Sequence, residues 1–416
     1  MSAITKARLA SFVVFPRLVK VAMGFSLVVP SCTALADEVV FNSLYGADVF
    51  AGIDFHQQYR DNVAYRSENV QASPVTIVSP ALKWLAERDS FAFSASASLE
   101  SGSFNESPED DYTDTALSSN LAWRLDRRNM LRFQASRKSD HQERGRGFSA
   151  GSFLVDFKEP DTFDDELFGV NYRFGAKSSP GGFVVALKHL TREYDKQFTP
   201  PRFRDREEFS ASGQLLWRTG GRSNAFFEAR LIETDYAREV GFEQVSEGAL
   251  DSSGYNYFVG FTWETSDKTE SSIRLGQANK DFDSDAREDF SGISWEVAAT
   301  WQPRVYSSFT LESSRSPVEP DGLGNFVDQV SNSLIWVHNW SERLETNLEL
   351  SAVDRSFEGV GVNRDENLNV FEASVDYSIR RFIGVSLSYT YEDNGSNLEA
   401  FEYDSNILAL SLKFGS

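Results

Sequence analysis

The chain has 416 residues, with 62 acidic against 41 basic side chains, a single cysteine and a net charge of −21. One cysteine excludes a disulfide framework and a thiolate metal cluster, and the acidic balance excludes a nucleic-acid surface. No run of about 18 apolar residues is present, which excludes a transmembrane helix and leaves a closed β-barrel as the membrane-spanning option.

The chain opens on a secretory signal pattern. Lys6, Arg8, Arg17 and Lys20 form a basic start, 21–29 a short apolar run, and Ala34-Leu35-Ala36 an A-x-A site with cleavage before Asp37. Cys32 offers a lipoprotein signal as the alternative, although Pro30 makes a poor lipobox. Cleavage removes four bases and no acid, leaving 62 acids against 37 bases, a charge of −25, in 380 residues. The expected division is 1–36 signal peptide, 37–46 short periplasmic segment and 47–416 barrel.

From there the pattern has period two. Phe91, Phe93, Ala95, Ala97 and Leu99 alternate with Ala92, Ser94, Ser96, Ser98 and Glu100. Tyr255 to Trp263, Ile293 to Trp301, Phe371 to Ile379 and Leu408 to Phe414 repeat the alternation. Apolar residues on every second position over eight or more residues predict strands rather than helices.

The connections alternate in length. Eight short turns fall at Glu87 to Ser90, Asp126 to Asn129, Ala176 to Gly181, Gly220 to Arg222, Thr265 to Lys268, Pro303-Arg304, Ser341 to Arg343 and Arg380-Arg381. Nine long polar loops fall at Asp61 to Pro74, Gly102 to Asp111, Gln142 to Asp161, Lys196 to Arg204, Ala237 to Asp251, Asp283 to Asp289, Pro317 to Asn325, Glu358 to Glu366 and Glu392 to Glu402. Seventeen connections give about 18 strands with both ends on the short-turn side. The predicted fold class is all-β: a transmembrane antiparallel up-and-down barrel with short periplasmic turns and long extracellular loops.

Six of the eight tryptophans, Trp84, Trp123, Trp217, Trp263, Trp301 and Trp340, precede a short turn on the apolar face. Phe174, Tyr377 and Phe414 take that place on other strands. Indole is apolar in body and polar at its N–H, so these nine residues predict an aromatic girdle at the periplasmic membrane interface. A soluble propeller also repeats at about 40 residues, but its blade packs four short strands into that length. Here the period holds two long strands and one long loop.

Tyr59-Arg60-Asp61-Asn62-Val63 after the first strand, and Pro74-Val75-Thr76-Ile77-Val78-Ser79-Pro80 opening the second, carry a resemblance. With a signal before them and a Phe-ended strand at the close, the chain resembles the putative beta-barrel porin 2 family, over nearly all of its mature length. Asp61, Asn62, Ser79 and Pro80 are the family-like positions. The resemblance implies a part in capsule or exopolysaccharide biosynthesis and export. One departure is that Gly415 and Ser416 follow Phe414, where such barrels end on the aromatic residue read by the assembly machinery.

Few residues suggest chemistry. Gly147-Phe148-Ser149-Ala150-Gly151 matches the G-x-S-x-G nucleophile pattern, but no strand-turn-helix context surrounds it, so a glycine-rich loop is expected. Of His56, His141, His189 and His338, two lie near the long-loop rim with an aspartate close in sequence, Asp140 beside His141 and Asp195 after His189. No two histidines share a metal-ligand spacing on one strand. The acidic stretches Glu106 to Asp111 and Asp281 to Asp289, and Asp393, read as solvated loops that could hold divalent cations loosely; none matches an EF-hand. Parity places Arg132, Gln134, Ser136, Lys188 or its neighbour by a one-residue slip, Glu228, Arg230 and Glu312 on the inward face, as candidates to line a polar lumen.

The expected function is export or assembly of surface polysaccharide through a polar lumen. The alternatives are a general or solute-specific diffusion porin, and a closed barrel used as a surface receptor or scaffold. No catalytic group, cofactor or metal is expected. The expected partners are outer-membrane lipid and lipopolysaccharide, the barrel-assembly machinery, and polysaccharide with periplasmic export components, with no nucleic acid. The expected location is the outer membrane of a Gram-negative bacterium.

Overall fold

The computed structural model describes residues 42–44 and 47–415 apart from 152–156, 177–178, 196–202, 238–247, 267, 321–323 and 360–362. The signal positions Ala34, Ala36 and Asp37 lie outside the described residues.

A short strand, β1 (Asn42–Leu44), comes first. Then follow β2 (Ala47–Arg60), β3 (Ser73–Glu87), β4 (Phe91–Phe104), β5 (Tyr112–Arg124), β6 (Asn129–Gln142) and β7 (Asp161–Phe174). The next six are β8 (Gly181–Tyr194), β9 (Arg206–Gly220), β10 (Ser223–Tyr236), β11 (Ser252–Ser266), β12 (Thr269–Phe282) and β13 (Phe290–Arg304). The last six are β14 (Ser307–Val318), β15 (Phe326–Ser341), β16 (Leu344–Glu358), β17 (Arg364–Arg380), β18 (Ile383–Ser396) and β19 (Tyr403–Gly415). Each of β2 to β19 pairs antiparallel with its chain neighbours, and β19 returns to β2 from Ile407↔Arg60 to Gly415↔Gly52. That last ladder closes an 18-strand barrel and leaves no open edge.

Several strands run past the bounds expected from the sequence pattern, β4 to Phe104 and β18 to Ser396 among them. β1 extends the sheet, with Asn42 to Leu44 pairing against Val49 to Ala47. β13 runs through Pro303 to Arg304 and turns at 305–306, two residues later than expected. Its register is irregular between Trp301 and Arg304, where a proline without an N–H is tolerated. β17 likewise runs on to Arg380, with an irregularity between Ser378 and Arg380. Such bulges beside short turns add the twist a tight reversal needs.

The barrel is apolar outside. Leu117, Phe168, Leu275 and Leu350 are 54–55% exposed in the middle of their strands. Most of the buried hydrophobic residues gather at the long-loop end instead, with Phe226 and Phe258 buried farther down the inner wall. Val63, Val75, Ile77 and Phe104 pack with Tyr112, and Ala278, Phe290 and Phe326 with Phe282. Toward the short-turn end, the inward positions of β4, β5 and β18 carry small polar side chains such as Ser94, Ser96, Ser118, Asn120, Ser386 and Ser388. No described helix is long and apolar enough to cross a membrane.

Candidate functional site

The nine long connections lie at one end of the barrel. Those used below are L1 (61–72), L2 (105–111), L3 (143–160), L4 (195–205), L5 (237–251), L6 (283–289), L7 (319–325) and L9 (397–402). L3 is the longest. It leaves β6 and returns on β7, yet its side chains bond to β18, six strand positions away around an 18-strand wall. A loop reaches that far only by crossing the mouth.

Two arginines and two glutamates hold it there. Arg60 at the end of β2 meets Glu143 at 2.5 Å, and the Tyr65 hydroxyl of L1 donates to the other Glu143 oxygen at 2.7 Å. Arg146 lies 3.2 Å from Glu143 and donates to Glu392 of β18 at 2.5 Å. The Arg146 guanidinium sits 3.9 Å from the centre of the Tyr65 ring, and that ring meets Tyr403 edge-on at 5.0 Å. Burial pushes the Glu143 carboxyl up, but Arg60 and Arg146 outweigh it and hold the group down at about 2. Two cations and two anions balance, which makes this burial of charge tolerable.

Arg144 makes a second anchor. It forks onto both oxygens of Asp110 at 2.6 Å and reaches Ser107 at 3.1 Å and Glu109 at 3.3 Å, all in L2. L3 also lies directly on L1. A methyl group on Gly145 would sit 2.0 Å from the Ala64 carbonyl oxygen, and its φ of +89° suits glycine. From the far side, L4 sends Arg204 to the Gly324 carbonyl of L7 at 2.9 Å, with its guanidinium 6.0 Å from the Phe148 ring. Phe148, on a loop, is only 5% exposed because L3 and L4 meet over it. Arg287 of L6 ties the Gly248 and Ala249 carbonyls of L5 to Asn325 of L7.

The G-x-S-x-G segment therefore shapes this loop. Ser149 is buried, its hydroxyl donates to the Arg146 carbonyl at 2.8 Å and accepts from the Gly145 N–H at 2.9 Å. The histidine rings bond other partners than the aspartates close in sequence, although the His141 backbone N–H does reach Asp140. His141 bonds Asp114 of β5, while Asp195 accepts from Thr162 and His189 lies 3.9 Å from Glu207. His56 meets Ser411 at 2.7 Å, and His338 lies between Trp336 and Trp340 on the outer face. The acidic stretches are more built than solvated loops. Asp110 is buried under Arg144, and Asp111 and Asp289 accept from the Phe104 and Phe282 N–H groups. Asp393 stands opposite Asp404 on the exposed side of its strand.

Of the family-like positions, Asp61 and Asn62 seal the seam between β2 and β19, while Ser79 and Pro80 lie in the β3–β4 ladder. Both Asp61 oxygens accept from Asn406, at 2.7 Å from its N–H and 2.8 Å from its amide. The Asn62 amide donates to the carbonyls of Asp404 at 2.7 Å and Arg66 at 2.8 Å. Ser79 donates to Glu100 at 3.3 Å. Pro80 lacks an N–H, and the β3–β4 ladder pairs nothing between Val78 and Ala81.

Glu228 and Arg230 belong to a four-charge ladder on the inner wall. Arg230 donates to Glu228 at 2.5 Å and to Glu296 at 2.7 Å, and Arg274 bridges the same two glutamates at 3.3 and 2.6 Å. Gln214 adds a bond to Glu228 at 3.1 Å. Arg132 lies level with Asn171, Gln134 lies over Gly169, and Glu312 sits between Ala298 and Ser333. Of the row beside the short turns, Trp84, Trp123, Trp217, Trp301, Trp340, Tyr377 and Phe414 are exposed, and Trp263 and Phe174 partly so. The sequence reading missed Glu143, Arg146 and Glu392 as a unit. The available signal was a basic Arg-Gly-Arg in the longest loop of an acidic chain.

A family model, putative beta-barrel porin 2, matches residues 49–415, and the chain belongs to that family of porin-like barrels. Comparison with curated proteins gives no match. Among solved structures, the siderophore receptor PirA of Acinetobacter baumannii is similar at a TM-score of 0.46 and 8% identity, over 91% of this chain and 81% of that one. OccK7 (OpdD) of Pseudomonas aeruginosa is similar at a TM-score of 0.45 and 10% identity, over 90% of this chain and 99% of that one. These likenesses carry nothing about cargo.

Proposed function

We propose that this chain is a gated outer-membrane barrel that takes part in moving surface polysaccharide outward. The exposed Leu, Phe and Val belt meets lipid, and the aromatic row beside the short turns marks the periplasmic interface. The long connections then face outside. The observation that carries the reading is the contrast between the two ends. The outer mouth is crossed by L3, which is latched through Arg146 to Glu392, while small hydroxyls line part of the inner half. Free diffusion needs no latch. A long cargo entering from the periplasm needs room inside and a mouth that opens when it is engaged.

Small hydroxyls such as Ser94, Ser96 and Ser118 on the inward face can both donate to and accept from a hydroxylated chain, which supports sugar as that cargo. Guanidinium groups lie against aromatic rings at Arg192 and Phe163 (4.3 Å), Arg230 and Phe258 (4.8 Å), and Arg364 and Phe357 (4.0 Å). These pairs are buried or committed to carboxylates, so they brace the wall and leave the small hydroxyls to meet the cargo. No covalent step is part of this reading.

The test pairs a gene deletion with planar-bilayer recording of the purified barrel. Loss of surface polysaccharide, restored by the wild-type gene, with a wild-type channel that stays mostly closed, is the expected result. A steadily conducting channel blocked by a small sugar, with surface polysaccharide intact, would replace this reading with a diffusion porin. Neither conductance nor a polysaccharide defect would leave a closed scaffold.

A further inference from the structure

At the root of L3, the long-loop ends of β5 and β6 bring Asp114, Asp140 and His141 together. One ligand-capable atom from each lies within 4.8 Å of the others, the one such group among the described residues. The His141 Nδ1 atom is 2.9 and 3.0 Å from the two Asp114 oxygens. Asp140 is held beside the ring by accepting the His141 backbone N–H at 2.9 Å. The side chains are 11% exposed for His141, 20% for Asp114 and 24% for Asp140, so an ion can reach them without unfolding the strands.

The imidazole is fixed from a second direction. It stacks on Tyr112 with ring centres 4.0 Å apart and planes at 24°. Tyr112 in turn donates its hydroxyl to Glu100 at 2.8 Å, and Glu100 stands opposite Asp114 in the β4–β5 ladder. A ring held in this way offers its nitrogen in one orientation, as supporting contacts do around metal-binding histidines.

An ordinary Asp114–His141 ion pair explains one carboxylate. It leaves Asp140 beside the same residue and Glu100 facing Asp114, while of the nearby cations Arg60 is bonded to Glu143 and Lys138 lies 3.8 Å from Asp140, half exposed. Two carboxylates beside one imidazole, with Glu100 opposite one of them, gather negative charge in a half-buried place. The spacing of His141 and Asp114, 2.9 Å, also fits. Donors bound to one cation at about 2.1 Å lie about 3.0 Å apart along an octahedral edge. One nitrogen and two carboxylates, with no thiolate, suit a divalent ion of the zinc or manganese type.

We propose that Asp114, Asp140 and His141 form a divalent transition-metal site at the root of L3. Its position ties it to the latch, because His141 stands two residues before Glu143. The proposal holds whether or not the cargo is polysaccharide.

The test uses the full barrel folded in detergent and stripped with chelator, then titrated with Zn2+ alone, with Mn2+ and Ca2+ as comparators. One equivalent of Zn2+ per barrel is expected. His141→Ala and Asp114→Asn each weaken it about tenfold or more. Co2+ bound to the wild type gives visible absorption bands that His141→Gln shifts, which reports the nitrogen ligand. Mobility of unboiled samples on a gel checks that each variant is folded. Absence of stoichiometric Zn2+ binding by the wild type overturns the proposal without reference to any variant. Binding that is equally tight for Ca2+ and unchanged by His141→Ala also overturns it, and assigns the ions to the acidic rim.

Discussion

Replacing Arg146 by alanine should open the mouth. Its guanidinium is 2.5 Å from Glu392 and 3.2 Å from Glu143, it covers the Tyr65 ring at 3.9 Å, and both Arg146 and Glu392 side chains are 7% exposed. Glu143 keeps Arg60, but Glu392 loses the one cation whose bond to it is seen here. Removing one partner of a buried pair costs about 3–5 kcal/mol, and a desolvated cation–π contact accounts for about 2 kcal/mol of such a site rather than adding in full. A shift of about 4 kcal/mol changes a closed-to-open ratio roughly a thousandfold. Part of that returns when Glu392 is removed as well, because the stranded carboxylate disappears with it. Single-channel recording of purified protein in planar bilayers measures the effect. Arg146→Ala should raise the fraction of time spent open, and Arg146→Ala with Glu392→Ala should raise it less than the two single changes predict together. An Arg146→Ala barrel that is folded by gel mobility and gates like the wild type refutes the latch.

Other outcomes follow from the same structure. Gly145→Ala places a methyl 2.0 Å from the Ala64 carbonyl oxygen at a φ of +89°, so it should lift L3 and raise open probability without removing any charge. An unchanged open probability would mean that L1 and L3 are not packed in this way. Asn62→Ala removes three bonds, one of them to Asp404 across the seam, and should cost about 1–3 kcal/mol, seen as a lower temperature at which the unboiled gel form converts to the boiled one. For Glu319 of L7, burial raises the carboxyl but Lys280 and Arg206 outweigh it, so its pKa is lowered in the fold. A lowered carboxyl contributes stability that is fully present above its unfolded value of about 4.3 and lost as pH falls through the folded one. Hydrogen-exchange protection around Glu319, taken relative to the intrinsic rate at each pH, should therefore hold at pH 5 and fall only in stronger acid, and Lys280→Met should move that onset to higher pH.

Much of the barrel was legible because it is written in local pattern. Alternation along single strands such as Phe91 to Leu99 needs no knowledge of neighbours, since each side chain simply takes the opposite face from the last. Turn positions were readable from Gly, Asp, Asn and Arg clusters, except where Pro303 and Arg380 sat inside a bulge and looked like the turn itself. The aromatic row was readable because a fixed place in each hairpin recurs along the chain. The inward parity of Glu228 and Arg230 was available too, but not Arg274 and Glu296, which complete their ladder from β12 and β13.

The mouth and the seam were decided by the tertiary structure. Arg146 and Glu392 are 246 residues apart, and Asp61 and Asn406 345 apart. The Asp114–His141 pair joins two strands where the sequence offered only Asp140 next door. Local patterning sets which way a side chain points, because that depends on the pleat of its own strand. Which charge it meets depends on closure of the barrel and on how far a loop folds inward, and no periodicity in the chain records that distance.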